Sequence, residues 1–479
     1  MRASGTVIFL LNGTACTIDF HESTPYTPTT TVLQFLRSHP QLQGTKEGCA
    51  EGDCGACTVV IASLNQQSEL VVEACDSCLI FLPMLHRKAL ITVEHIGTPE
   101  HLHPVQKAMV DHDGSQCGYC TPGFVMSLYA LHHNHPESES SREVAEDALT
   151  GNLCRCTGYR SILDAALQVH DQASMTPNDQ KQTIQGLQSL QSYPLSIVSQ
   201  HQKYFQPHDL QEAVKLRSMY PEAVMISGAT DVALKVTKND EVLEEIIDLS
   251  SVKPLKELKI TDHYIYLGAG LSLEQVKRTV EDLLPALYET LKVFGSLQIR
   301  NLATIGGNIA SASPIGDTAP ILMAYDAQVE LVGPQSTRLV PMREFITGYR
   351  ETSMQKDEMI LGFNIPIPNT QTHVKWYKIS KRKDLDISTV SGGFRLELEQ
   401  DATVSHISLF YGGMAAMTKN ASKTEASLLG KPWSREQVEL SMDIIDQDFT
   451  PISDARAEAG GRRIMARNLL LKFWTDTHA

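Results

Sequence analysis

No stretch of the 479 residues approaches the 18 or more uninterrupted apolar residues that a membrane-spanning helix needs, so a helical membrane protein is set aside. The opening "MRASGTVIFLLNGTACTIDF" has one early Arg and an apolar run cut off at Asn12 and Gly13, too short for the core of a secretory signal. A cytoplasmic protein is therefore expected, in a compartment that keeps thiols reduced. Positive charge is also scarce. Lys and Arg number 41 against 56 Asp and Glu, and a formal charge of −15 argues against nucleic acid, whose phosphates require clustered cations. No G-x-G-x-x-G follows a strand with an acidic residue about twenty positions on, which leaves a Rossmann dinucleotide site unsupported. Cysteine is missing beyond Cys156, so whatever uses thiols is confined to the first third of the chain.

What is present divides the chain. Its length calls for roughly three or four domains. Residues 1–95 read as strands and turns, with "TVIFLLNG" and "ACTIDF" forming a hairpin about Asn12-Gly13, a helix in "TTTVLQFLRSH" and a buried strand in "CTVVIASL". Residues 96–170 turn helical, in "PVQKAMVDH", "PGFVMSLYALHH", "SREVAEDALTG" and "GYRSILDAALQV". The Gln- and Ser-rich segment 171–195 reads as a surface linker. Residues 196–370 alternate strands and helices, and 371–479 read as antiparallel strands followed by helices, an α+β organisation.

The ten cysteines are grouped. Cys49-x4-Cys54-x2-Cys57 is the spacing with which one loop wraps a [2Fe–2S] cluster, a fourth thiolate arriving from a distant segment. Gly48, Gly52 and Gly55 suit this, because a loop that turns its amides toward inorganic sulfide needs residues free to take positive φ. Cys75 or Cys78 is the fourth ligand. Cys78 is favoured because it opens the apolar run "CLIFLPML" that can pack on the loop. Cys117-x2-Cys120 and Cys154-x-Cys156 make a second four-thiolate set, for which structural zinc and an iron–sulfur cluster are both open readings on spacing alone.

The stretches "EGCAEGDCGACTV", "SQCGYCTPGFVMSL" and "GNLCRCTGYRSI" closely resemble the two [2Fe–2S] motifs of the molybdenum hydroxylase family. The resemblance implies a β-grasp, plant-ferredoxin-like domain followed by a four-helix [2Fe–2S] domain. It assigns Cys49, Cys54, Cys57 and Cys78 to one cluster and Cys117, Cys120, Cys154 and Cys156 to the other.

Downstream, "AVMISGATDVALKV" runs a strand into a Gly turn, and "ATIGGNIASASPIGD" offers Gly306, Gly307 and Asn308 where backbone can approach a ligand. These stretches, with "GSLQIRN" and "FITGYRET", resemble the FAD domain of xanthine dehydrogenases, a PCMH-type α+β fold, and the rest resembles a CO-dehydrogenase-flavoprotein C-terminal domain. By position the resemblance puts Met225, Ile226, Ser227, Gly228, Ala229, Thr230, Asp231 and Val232 along the FAD diphosphate, together with Ala303, Thr304, Ile305, Gly306, Gly307 and Asn308. It adds Phe294 beside the flavin, and Asp317, Ile360 and Lys378 as further FAD contacts. "GATD" stands where a Gly-Asn-Thr-Glu pattern is common, so any contact by Ala229 runs through backbone.

The implied cofactors are two [2Fe–2S] clusters and FAD, with NAD⁺ as electron acceptor. A molybdenum cofactor is implied only on a large partner subunit, in an α2β2 heterotetramer. No catalytic residue is expected in this chain, since the flavin is its redox centre. The same train could serve an aldehyde or N-heterocycle hydroxylase, and the rival from another class is a zinc scaffold without redox function. Three further features are weighed. "LHHNHP" reads as a solvated helix exit rather than a metal site, "SKRKDLD" lies by the nicotinamide side of the flavin in the resembling family, and Gln116 corresponds to a glutamine that reaches the partner's pterin.

Overall fold

Asn12 and Gly13 both take positive φ, 52° and 79°, the tight turn that an Asn-Gly pair favours between antiparallel strands. The strands it joins, Thr6–Leu11 and Thr14–Asp19, pair in register from Leu11 opposite Thr14 to Thr6 opposite Asp19. The computed structural model describes residues 4–20, 24–65, 67–134, 141–169, 177–199 and 201–478. It divides into two compact units, one of residues 1–216, 222–252 and 295–303, the other of residues 217–221, 253–294 and 304–479.

In the first unit the hairpin is extended by Ala89–Ile91, Thr58–Leu64 and Leu70–Asp76 into a five-stranded sheet. Ala89–Ile91 runs parallel to Thr6–Leu11, so the chain crosses over the sheet. The crossover carries the helix Val32–Arg37, started by a capping box between Thr31 and Gln34. Four helices follow: Pro104–Asp111, Thr121–Asn134, Arg142–Leu149 and Arg160–Gln168, packed around Val105, Phe124, Leu128 and Ile162. A smaller sheet, ordered Leu195–Val198, Lys203–Gln206, Glu245–Asp248, Val224–Ile226, adds Tyr204, Ile226 and Ile246 to the same apolar cluster as Phe9, Leu36 and Phe81. One continuous core therefore joins the first sheet to the start of the region read as flavin-binding.

Residues 177–195 of the segment expected as a linker include a helix, Pro177–Ser189, and Leu187 and Leu190 are buried with Leu10 and Val60 against the first sheet. Glutamine is a good helix former, and two leucines at the end are enough to seat the helix although its remaining surface is polar.

The second unit holds a five-stranded antiparallel sheet ordered Leu258–Ile260, Tyr264–Gly268, Met359–Pro366, Gln328–Val332, Thr337–Pro341, with helices Leu273–Val280, Pro285–Lys292 and Thr318–Ala324. It also holds an antiparallel sheet of His373–Ile379, Val390–Leu398, Val404–Gly412 and Lys419–Asn420. Phe394 and Leu409 of that sheet share a core with Val438 of Arg435–Met442 and with Phe473 of the C-terminal helix Ala459–Thr477. The antiparallel strands and late helices expected after residue 370 are thus present.

Candidate functional site

The first cysteine loop is shaped by left-handed residues: Ala50 at φ 56°, Gly52 at 80° and Gly55 at 64°. The resulting turns aim backbone amides inward, and the N–H groups of Glu51 and Asp53 donate to the Cys49 sulfur at 3.4 and 3.3 Å. Gly48 is equally confined, because a Cβ there would lie 2.6 Å from the Cys54 sulfur. Cys49 pairs with Cys54. The Cys54 thiol first, then the Glu51 and Asp53 amides, stabilise a Cys49 thiolate and hold its pKa down at about 5 despite partial burial. Cys57 and Cys78 form the other pair, sulfurs 3.4 Å apart, where contact with Cys78 and then burial push the Cys57 thiol well up.

Cys75 is placed differently. It lies in Leu70–Asp76 opposite Val59, fully enclosed, and the charges nearest it are Glu73, Lys88 and Asp76 rather than another thiol. Asp76, next along, is buried with one carboxylate oxygen 3.7 Å from the Cys57 sulfur. Burial, then the charge at Cys49, push its pKa up to about 8.

In the helical module the thiols pair again, Cys120 with Cys154 and Cys117 with Cys156. Thr157 donates to the Cys154 sulfur at 3.2 Å, and Gly118 and Gly158 take positive φ in the two loops. Cys154 is buried, whereas Cys117 and Cys156 are exposed at the surface of the unit. Eight thiols therefore stand in four pairs, two pairs per module. Among the described residues no three His, Cys, Asp or Glu side chains converge as on a single ion. A mononuclear zinc site draws four ligands to one point. A [2Fe–2S] cluster would take its four thiolates two to each iron, an arrangement that paired thiols can serve.

The two cysteine loops are stitched together. Leu153, the neighbour of Cys154, donates its N–H to the Cys54 carbonyl at 3.0 Å. Asn152 is buried and donates to the Gly55 carbonyl and to Thr58 Oγ1 at 3.1 and 3.2 Å, while accepting from Ser127 at 2.6 Å. Gln298, with no exposed surface, donates to Ser127 Oγ, the Ala148 carbonyl and Asn152 Oδ1 at 2.9, 2.9 and 3.2 Å. Tyr119, beside Cys120, hydrogen-bonds the Glu47 carbonyl.

The residues read as flavin-binding fall into groups. In the first unit, strand Val224–Ile226 leads through Ser227 into Gly228, whose missing Cβ makes room for the Leu302 carbonyl 1.7 Å from where that Cβ would stand. Ala229 takes φ 59°, and Thr230 and Asp231 lead into helix Val232–Thr237. Ala303, buried, closes the helix Leu297–Leu302.

In the second unit, Thr304 caps the short helix Ile305–Ala310, accepting from Gly307 N–H at 3.1 Å, and Asn308 bonds Thr318. Gly306 donates to the Ala269 carbonyl while Ala269 donates to that of Leu361, which ties this turn to the strand that carries Ile360. Asp317 accepts from Lys378 Nζ at 2.8 Å and from the Ser388 hydroxyl; all three side chains are buried. Phe294 is half-buried beyond Pro285–Lys292.

Sequence reasoning passed over Gln298, Asn152, Lys238 and Ser388. Each is an ordinary polar residue whose importance lies in what the fold sets against it. The other stretches weighed earlier stay peripheral. His132 is buried in Thr121–Asn134 while His135 lies outside the described residues. Arg382 closes the 380–386 loop on Asp386. Gln116 is exposed beside Cys117. No helix among the described residues is long and apolar enough to cross a membrane.

The family described as "[2Fe-2S] binding domain" matches residues 92–167, "FAD binding domain in molybdopterin dehydrogenase" matches 199–368 and "CO dehydrogenase flavoprotein C-terminal domain" matches 375–477. Xanthine dehydrogenase of Emericella nidulans is 32% identical over 98% of this chain and 38% of its own length. Xanthine dehydrogenase 1 of Arabidopsis thaliana is 32% identical over 93% of this chain, again 38% of its own length. The chain thus spans under two fifths of these relatives. Among solved structures, carbon monoxide dehydrogenase from Hydrogenophaga pseudoflava superposes with a TM-score of 0.54 at 25% identity, over 57% of this chain and 96% of that one. Quinoline 2-oxidoreductase from Pseudomonas putida 86 shares the fold, with a TM-score of 0.53 at 21% identity over 57% of this chain and 95% of its own.

Proposed function

We propose that the chain is a molybdenum hydroxylase subunit, the electron-transfer subunit of a xanthine dehydrogenase, a reading supported by its matches to [2Fe–2S]-binding, FAD-binding and flavoprotein C-terminal domains and to xanthine dehydrogenases along nearly its whole length. In this reading a large molybdopterin-binding partner, joined in a cytoplasmic α2β2 assembly, oxidises hypoxanthine and xanthine to urate in purine catabolism, and this chain conveys the electrons to NAD⁺ or O₂. The observation that carries it is the arrangement of eight thiols as two sets of two pairs.

When bound, the two clusters supply one-electron relays and the flavin a two-electron terminus able to reduce a nicotinamide. The chain's own residues hold and order these groups. Cys49, Cys54, Cys57 and Cys78 ligate one cluster, with the inward amides of Glu51 and Asp53 stabilising negative charge on sulfur. Cys117, Cys120, Cys154 and Cys156 ligate the other at an exposed edge, where a partner can approach. The 225–232 and 303–308 loops present backbone to the FAD diphosphate, and Asp317, fixed by Lys378 and Ser388, adds a buried polar contact. The 380–386 loop stands on the nicotinamide side.

The alternative is the same relay in an aldehyde or N-heterocycle hydroxylase. Copurification with the partner separates the two. The purified complex is expected to reduce NAD⁺ with xanthine, and activity only on an aldehyde or another heterocycle would transfer the assignment.

A further inference from the structure

Two short helices touch the Gly228 loop, and both reach the first cysteine loop. Val232–Thr237 begins four residues after Gly228, and its C-terminal neighbour Lys238 donates from Nζ to the Cys49 carbonyl at 3.2 Å and pairs with Glu51 at 3.1 Å. Leu297–Leu302 meets Gly228 at its far end, where the Leu302 carbonyl occupies the room of the absent Cβ. Three residues earlier, Ile299 faces Gly52. A Cβ on Gly52, which already sits at φ 80°, would lie 2.8 Å from Ile299 Cδ1 and 2.6 Å from Leu79 Cδ1, Leu79 being next to Cys78. Three residues of helix advance about 4.5 Å. The two loops thus bear on the same short helix, one through Ile299 and the other through Leu302.

That helix cannot slide. Gln298 is enclosed with three acceptors, and Arg300, also without exposed surface, makes a two-pronged bond to Asp147 at 2.7 and 2.9 Å. Asn301 donates to the Ala74 carbonyl at 2.9 Å. Lys238, by contrast, is partly exposed, and its contribution is charge as much as contact.

We propose that Val232–Thr237 and Leu297–Leu302 form a clamp on the first cysteine loop, with Lys238 and Ile299 as positioning residues that set the first cluster's placement relative to the flavin and its ease of reduction. The inference rests on the cofactor reading above. Adding an electron makes the cluster more negative. An ammonium at the Cys49 carbonyl favours the reduced form, attenuated by water because the side chain is partly exposed. Tunnelling falls steeply with distance, so a fixed spacing fixes the rate of transfer to the flavin.

The test uses the full chain loaded with iron, sulfide and FAD. In a redox titration followed by electron paramagnetic resonance, Lys238→Met is expected to move the first cluster's midpoint to more negative potential while the second cluster's stays in place, and Lys238→Arg to restore it. In Ile299→Ala the dipolar coupling between the reduced first cluster and one-electron-reduced flavin is expected to broaden or weaken at unchanged iron and FAD content, with Ile299→Val near the parent. Unmoved midpoints in Lys238→Met and unchanged coupling in Ile299→Ala would overturn the proposal. Loss of iron or FAD from these variants would overturn it too, in favour of a purely structural role. Parent protein that holds neither iron nor flavin would defeat the cofactor reading itself, and the inference with it.

Discussion

Cys75 and Cys78 are three residues apart and both enclosed, yet only Cys78 has a thiol beside it. Their substitutions should part company. Cys78→Ser is expected to lose the first cluster, dropping iron from about four to about two per chain, whereas Cys75→Ser keeps it, as iron analysis and the first cluster's magnetic resonance signal will report. His86 makes a separate prediction. Its Nδ1 accepts from the Ile8 N–H at 3.3 Å and its ring packs on Tyr193. Burial first, then the charges of His208 and Arg87, push its pKa down to about 4. The unfolded chain therefore takes up this proton before the folded one. The associated stability is complete above the unfolded value near 6.5 and is lost as pH falls toward 4, by up to about 3 kcal/mol. Melting temperature should fall more between pH 7 and 5 in the parent than in His86→Asn, whose Oδ1 can still accept from Ile8.

At the scale of elements, Leu297–Leu302 shows where sequence reading stops. "GSLQIRN" is legible as part of a flavin-binding stretch, but nothing in six residues announces that Gln298 and Arg300 will be fully enclosed against the helical module. The pairing of Arg300 with Asp147 joins positions 153 residues apart, a contact that no periodicity encodes. Removing the carboxylate strips the partner from an enclosed guanidinium, so Asp147→Ala should cost on the order of 3 kcal/mol, read as a lower midpoint in urea unfolding. What was legible had local causes. The Asn-Gly hairpin, the capped helix Val32–Arg37 and the strand Thr58–Leu64 follow from turn chemistry, capping and apolar runs. Pro177–Ser189 did not, because its seating depends on Leu187, with Leu190 just beyond it, packing into an apolar cluster with Leu10 and Val60, a tertiary fact. The cysteine groups were legible for a different reason: their spacing is written along the chain, whereas Lys238 meets the first loop only through space.

At the scale of the molecule, the chain divides into two compact units, and in the first of them the first sheet and the strands around Tyr204 share one core. The eight thiols, the Gly228 turn and the helices Val232–Thr237 and Leu297–Leu302 all belong to the first unit. The proposed relay depends on the groups the chain binds. The most direct test is to purify the intact chain anaerobically and measure its metals, acid-labile sulfide and flavin alongside its magnetic resonance spectrum after reduction. Iron, sulfide and FAD at about four, four and one per chain, with two distinct cluster signals, is the predicted result. A colourless protein carrying zinc and no flavin would contradict it.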